Sequence, residues 1–304
     1  MARRYLPMLI FVAAIWGASY MFIKVAVDEI DPVPLMALRL FFASLVLVPL
    51  LIMQRGTRTT IADFRAAGWG LVVLGVINTA LPFTLIAWGE QHVDSSIAGI
   101  ANAPVPIFVA LLAIKYRPSE RVSGLRLVGI FLGFLGVAVL AGFHPEGGWW
   151  AVAGTLAVVI ASLSYAAANL FAQARQSATS PMVLVAGSSL AGFAILAPIS
   201  LFQLPADVPS AKALGSVFVL GTVGTAFALI LYFRLLQACG ASKASLVTYL
   251  IPPFAVAYGV GLLDEEIHLN AILGLALILG GVALGSGAFR YSRTREVVPA
   301  PQQP

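Results

Sequence analysis

Charge is what this chain has least of. Only 10% of its 304 residues are Asp, Glu, Lys or Arg, while 60% are hydrophobic and the mean hydropathy is +0.95. A soluble domain carries about 25% charged residues, so a large soluble domain is excluded and the chain reads as an integral membrane protein. Cysteine is nearly absent too, and the single Cys239 excludes an intrachain disulfide. The three histidines, His92, His144 and His268, lack metal-ligand spacing, so neither a metal nor another cofactor is expected. No G-x-S-x-G nucleophile motif is present. No Asp or Glu falls near the middle of a predicted helix, which disfavours a central proton relay or a site for lipophilic cations. A central Lys or Arg is missing as well; Arg39 comes nearest, about 9 Å inside its helix by helical rise.

What is present is apolar sequence in runs of about 20 residues, each enough to cross a hydrocarbon core of about 30 Å. Ten spans are predicted, over 5–27, 33–53, 66–89, 95–114, 123–141, 149–174, 181–201, 211–237, 242–263 and 268–288. The first is too long for a signal-peptide core. Lys and Arg concentrate in cytoplasmic loops, and with the N-terminus inside, 15 of the 18 basic residues fall on that side. Both termini are therefore expected in the cytoplasm, with the lipid bilayer as the main partner. The net charge of +5 lies in short loops and marks orientation, not a nucleic-acid partner.

The sequence also repeats. At an offset of 146, 75–106 matches 221–252 at eight of thirty-two positions, including Gly75/Gly221, Thr79/Thr225, Gln91/Gln237, Ser96/Ser242 and Pro106/Pro252, against about three expected by chance in so apolar a chain. At offset 145 fall Tyr20/Tyr165, Glu120/Glu265, Gly129/Gly274 and Gly136/Gly281. The expected fold class is all-α integral membrane, ten transmembrane helices in two five-helix repeats over 5–141 and 149–288, followed by a basic, disordered tail over 289–304. Five helices per repeat make the second copy inverted. Such pairs recur in secondary transporters, which bind solutes near the midplane.

Candidate site residues follow from backbone chemistry. Pro104 and Pro106 in span 4, and Pro252 and Pro253 in span 9, each deprive the carbonyl four residues earlier of its donor and mark kinks that could gate. For Pro106 and Pro252 the carbonyls belong to Asn102 and Thr248; in span 3, Pro82 stands the same way to Asn78. Freed carbonyls at membrane depth need protein or a wet cavity around them. Trp16 and Tyr20 share a helix face, as do Tyr165 and Asn169, and Thr225 and Tyr249 join this substrate-binding set. The plain alternative for each is helix packing. Lys24, Arg39, Glu90 and Asp94 lie at similar heights and are expected to form an outer ion-pair network or gate, with snorkelling the alternative for Arg39. Gly129, Gly133 and Gly136 read as close-packing sites. Asp28-x-x-Asp31 could hold Mg²⁺ in a membrane-embedded lipid-modifying enzyme, but a solvated turn is the stronger reading. The acidic run Asp264, Glu265 and Glu266 reads likewise as an outer loop.

The Trp16-Gly17-Ala18-Ser19-Tyr20 start, Arg39 opening span 2, the Pro104/Pro106 helix and the Glu120, Gly129, Gly136 pattern repeated at Glu265, Gly274, Gly281 resemble the drug/metabolite transporter superfamily. Specifically, the chain resembles an EamA-type ten-helix member over nearly all of 5–288, and most of all the bacterial YddG-type exporters of aromatic amino acids. The resemblance implies a bacterial inner-membrane exporter, not an enzyme. Small multidrug members of the superfamily use a first-helix Glu, whereas this chain has Trp16 and Tyr20 and no acid, against cation antiport. The expected cargo is a small neutral or zwitterionic metabolite, foremost an amino acid with an aromatic or hydrophobic side chain, moved by alternating access around a central cavity. A nucleoside, sugar, polyamine or drug is the alternative cargo. The sequence is neutral between monomer and homodimer.

Overall fold

The computed structural model describes residues 5–116, 125–141, 148–240 and 244–285. The tail at 289–304, Glu120, Ser242 and the basic residues Arg3, Arg4, Arg117, Arg121, Lys243, Arg290, Arg293 and Arg295 lie outside these.

The described residues form helices only, in the order α1 (Leu6–Val27), α2 (Pro32–Arg55), α3 (Thr57–Ala67), α4 (Trp69–Glu90), α5 (Ser95–Ala101), α6 (Val105–Tyr116), α7 (Leu125–Ala141), α8 (Gly148–Arg175), α9 (Pro181–Ser200), α10 (Ala211–Cys239), α11 (Val247–Leu263) and α12 (Leu269–Gly285). Seven helical stretches are long and apolar enough to cross a membrane, α5 and α6 counting as one, and α7, α11 and α12 are shorter apolar helices. Proline in the first turn opens α1, α2 and α9, where its missing N–H costs nothing and its fixed φ fits the helix. Large apolar side chains such as Phe11, Leu45, Phe131, Ile160 and Phe218 stay exposed on the outside, as lipid-facing positions should.

Three features differ from the sequence expectation. The stretch expected to be a charged loop before span 3 is the amphipathic helix α3, pinned by an Arg55–Asp63 ion pair at 2.6 Å. Span 4 is broken, not merely kinked: turns at 102–104 separate α5 from α6, and Pro106 sits in the first turn of α6. In α11, by contrast, Pro252 and Pro253 lie inside one continuous helix. Finally, α4 and α10 each widen into a π-helical segment, Gly75–Ala80 and Leu220–Phe227. These widened turns fall on the strongest part of the sequence repeat. Thr225 Oγ donates at 2.9 Å to the Leu220 carbonyl five residues back, an acceptor that the wider turn presents.

Packing between the halves is reciprocal. Helix α1 packs on α10 and α11, and α8 packs on α4, α5 and α6; α2 lies along α9, and α7 along α12. The π segment of α4 meets α9 and that of α10 meets α2. Along α7 and α12 a Cβ on Gly281 would come within 2.5 Å of the Gly129 carbonyl oxygen, and one on Gly274 within 3.0 Å of the Gly136 oxygen. Glycine is required at these crossings because the backbones touch.

Candidate functional site

The break after α5 leaves the Asn102 carbonyl without its helical donor, since Pro106 has no N–H. Ser162 of α8 stands beside it: its one hydroxyl proton has Asn102 Oδ1 at 2.9 Å as its shortest acceptor, with that carbonyl at 3.2 Å. Asn102 Nδ2 in turn donates to Tyr20 Oη of α1 at 2.7 Å. Three helices of different halves thus meet in one hydrogen-bonded chain, with Ser162 fully buried and Tyr20 only 5% exposed. Two residues on, Ser164 donates at 2.7 Å to the Ile77 carbonyl in the π segment of α4. A buried carbonyl without a donor costs about 1–3 kcal/mol, so Ser164 holds irregular backbone at depth that would otherwise be unfavourable, while Ser162 ties the Asn102 side chain beside the break.

Beside this chain lies an aromatic wall. Tyr165 of α8 and Phe83 of α4 pack edge to face with centroids 6.4 Å apart, and both rings remain partly exposed although they pack against the main core. The Arg39 guanidinium carbon lies 3.9 Å over the Phe83 centroid, a cation–π contact. Arg39 Nε donates to Thr225 Oγ at 3.0 Å. Arg39 is 6% exposed.

That geometry corrects the outer ion-pair network. Among the described residues Arg39 pairs with no carboxylate, and it does not snorkel outward; it turns into the bundle, where Thr225 and Phe83 hold it. Lys24 donates to two backbone carbonyls, Glu90 O at 2.8 Å and Val93 O at 3.0 Å, and so caps the end of α4. Glu90 is fully buried, with no hydrogen bond to either carboxylate oxygen among the described residues. Asp94 is half-buried at the start of α5. The one ion pair among the described residues is Arg55–Asp63. The four predicted residues do share one end of the bundle, but Lys24 binds backbone carbonyls and Arg39 binds Thr225 and the Phe83 ring, while neither carboxylate is paired with them.

The other candidates divide. Tyr20, Asn102, Tyr165 and Thr225 come together as described. Asn78 sits half-buried in the π segment and Pro82 buried just after it. Trp16 packs at 5.2 Å on Tyr232 in a separate cluster of α1, α10 and α11. Asn169 is exposed one turn beyond Tyr165. Thr248 bonds the Ser245 carbonyl of its own turn, and Tyr249 Oη points to Val282 of α12 at 3.4 Å. Asp28 and Asp31 are exposed on the turn before α2. Sequence reasoning missed Ser162, Ser164, Phe83 and Glu265. Glu265, expected in a solvated loop, accepts from Ser95 N, Ser95 Oγ and Ser96 N at 2.8, 2.7 and 3.0 Å, capping α5 from the far half of the chain.

Comparison with known proteins agrees with this architecture. The profile of the EamA-like transporter family matches twice, over residues 3–142 and 152–286. An uncharacterized transporter of Bacillus subtilis, YoaV, is 27% identical over 94% of this chain and 97% of its own length. An uncharacterized inner membrane transporter of Escherichia coli, YedA, is 27% identical over 99% and 97%, and the PagO protein of Salmonella typhimurium 23% over 88% and 86%. One crystal structure superposes with a TM-score of 0.66 at 18% identity, covering 95% of this chain and 99% of the other.

Proposed function

We propose that this chain, which belongs to the EamA-like transporter family, is an inner-membrane exporter of small neutral or zwitterionic metabolites, foremost amino acids with aromatic or hydrophobic side chains. The observation that carries the reading is the Tyr20–Asn102–Ser162 chain at the break between α5 and α6, set against the partly buried Tyr165 and Phe83 rings. A broken helix with polar groups at membrane depth is where secondary transporters place their solutes. Ring faces suit an apolar side chain, and the amide and hydroxyls suit a polar backbone group.

The mechanism we propose is alternating access of two inverted five-helix halves, residues 5–141 and 149–288. It is supported by the double family match, by the paired π segments, and by the reciprocal packing in which Gly129 meets Gly281 while Gly136 meets Gly274. An isologous contact of that kind is the mark of a two-fold relation. Both termini are assigned to the cytoplasm on the basic-residue asymmetry. Seven long apolar helices, three shorter ones and the inner-membrane description of the Escherichia coli relative support a multi-pass inner-membrane location. Pro104 and Pro106 at the break, and Pro252 and Pro253 within α11, are the proposed pivots.

The test is flux of a radiolabelled amino-acid panel into liposomes bearing the purified protein, with and without a pH gradient. Saturable flux that Asn102→Leu removes while expression stays constant supports the reading. Flux of nucleosides, sugars or polyamines in place of amino acids replaces the cargo and keeps the transporter. We expect only weak dependence on outer pH. Steep gradient-driven accumulation that Glu90→Gln abolishes would assign proton coupling to that buried carboxyl group instead.

A further inference from the structure

We propose that Arg39 receives the carboxylate of the transported solute. The inference deepens the transport reading above, on which it rests, and adds the feature by which the solute is recognised.

Arg39 is more than nine-tenths buried, and only one of its five N–H groups has a protein acceptor among the described residues, the Nε bond to Thr225. The two Nη groups take no partner there, yet they are not among the polar atoms sealed away from solvent-sized space. A buried guanidinium without its donors satisfied is costly unless something completes it. Protein structure leaves the Nη edge free while fixing everything else: Thr225 holds Nε, and the Phe83 ring supports the plane from one side at 3.9 Å. That is a planar two-pronged donor held rigid at a buried position, the arrangement that matches a carboxylate with two parallel hydrogen bonds.

The surroundings select the class of anion. Tyr165 packs on the same Phe83 ring that the guanidinium lies over. Lys24 is engaged by the Glu90 and Val93 carbonyls, and Lys212 lies exposed at the start of α10 beside Glu29. Arg39 is the only buried cation among the described residues, and one buried charge suits a monoanion and disfavours a phosphate dianion. The partly buried Phe83 and Tyr165 rings suit an apolar substituent on that anion.

Isothermal titration of the full chain in lipid nanodiscs tests this with four probes that share a phenyl group: phenylalanine, 3-phenylpropionate, phenylalaninamide and phenyl phosphate. The expected result is that the two carboxylates bind at least roughly tenfold tighter than the amide, and that Arg39→Gln removes this preference. Arg39→Lys, which keeps the charge but not the fork, is expected to retain part of it, and it answers the question should the Gln variant fail to fold. Binding of 3-phenylpropionate through Arg39 without binding of phenylalanine would uphold Arg39 and sink the amino-acid reading. Equal binding of acid and amide, or an acid preference that survives Arg39→Gln and Arg39→Lys, would overturn Arg39 while leaving amino-acid transport in place. Tighter binding of phenyl phosphate, or no binding of either carboxylate, would overturn it as well.

Discussion

The break at Asn102 and its repeat counterpart at Thr248 start from the same chemistry and end differently. Both residues stand four before a proline, and both are polar at a position where the backbone loses a donor. In the first half the helix stops, and the Asn102 side chain bridges Tyr20 and Ser162. In the second half the helix continues through Pro252 and Pro253, and among the described residues the Thr248 hydroxyl bonds the Ser245 carbonyl of its own turn. At this pair the repeat keeps the proline and the polar residue four before it, but neither the backbone break nor the side-chain bridge. One copy supplies the bridge between halves, while the other runs on as a helix.

The largest effect should separate these two positions directly. Asn102→Leu leaves the Tyr20 and Ser162 hydroxyls without their shared partner at a buried site, and flux should fall by at least about tenfold. Thr248→Val removes one local bond, and flux should stay within about twofold of the parent. Equal losses in the liposome assay would erase the contrast. The threonines of the two π segments sharpen it further. Thr79 bonds the Gly75 and Ser188 carbonyls, whereas Thr225 also accepts from Arg39. Thr225→Val exposes a buried charged donor and should destabilise by about 1–3 kcal/mol; Thr79→Val should cost about 1 kcal/mol. Thermal melts of the two variants in the same detergent would show the order.

A smaller difference is expected between two carboxylates that cap helices across the bundle. Glu265 accepts three bonds at the start of α5, and Glu29 accepts two from Ser210 at the start of α10. Glu265 is partly buried and Glu29 lies in solvent, where such contacts contribute little. Glu265→Gln should lower stability by about 1 kcal/mol, and Glu29→Gln should leave the melting temperature unchanged. If both variants melt alike, burial is not what distinguishes them.

Much of this was legible in the sequence. Long apolar runs mark the spans, an offset of 146 marks the repeat, and the i−4 rule marks the Asn102 carbonyl as the one needing a donor. The residue that stands beside it was not legible, because Ser162 is one small polar residue among several on an apolar helix and nothing in its spacing points at Asn102. Arg39 failed for a related reason. Its distance from the helix end fits an outward snorkel and an inward turn equally well, and Thr225, which decides the matter, lies 186 residues away. Glu265 sits in an acidic run that resembles any solvated loop, and its partners are 170 residues distant. Helix α3 did leave a signal: Ile61, Phe64 and Ala67 recur at helical spacing among Arg58, Asp63 and Arg65. Charge in that stretch obscured it.

Asp94 gives the finest test, since it heads the same helix that Glu265 caps. Its side chain makes no capping bond. Burial first, and then the Glu265 carboxylate, push the Asp94 carboxyl above the usual range, with Lys24 and His268 opposing. A raised folded-state value means that the folded chain holds this proton more tightly than the unfolded chain. The resulting stabilisation is complete below the unfolded value of about 3.9 and is lost as pH rises through the folded value. At neutral pH the charged carboxylate is therefore a liability. Asp94→Asn should raise the melting temperature by roughly 1 °C at pH 7, a modest gain because the half-buried group is screened by solvent. The gain should shrink as pH falls toward the unfolded value, because the parent residue takes up its proton on the way. It should also shrink in the Glu265→Gln background, where the second cause of the shift is gone. A gain that persists undiminished at pH 4 would mean that the amide gains a capping bond of its own, and the electrostatic account of this helix start would fail.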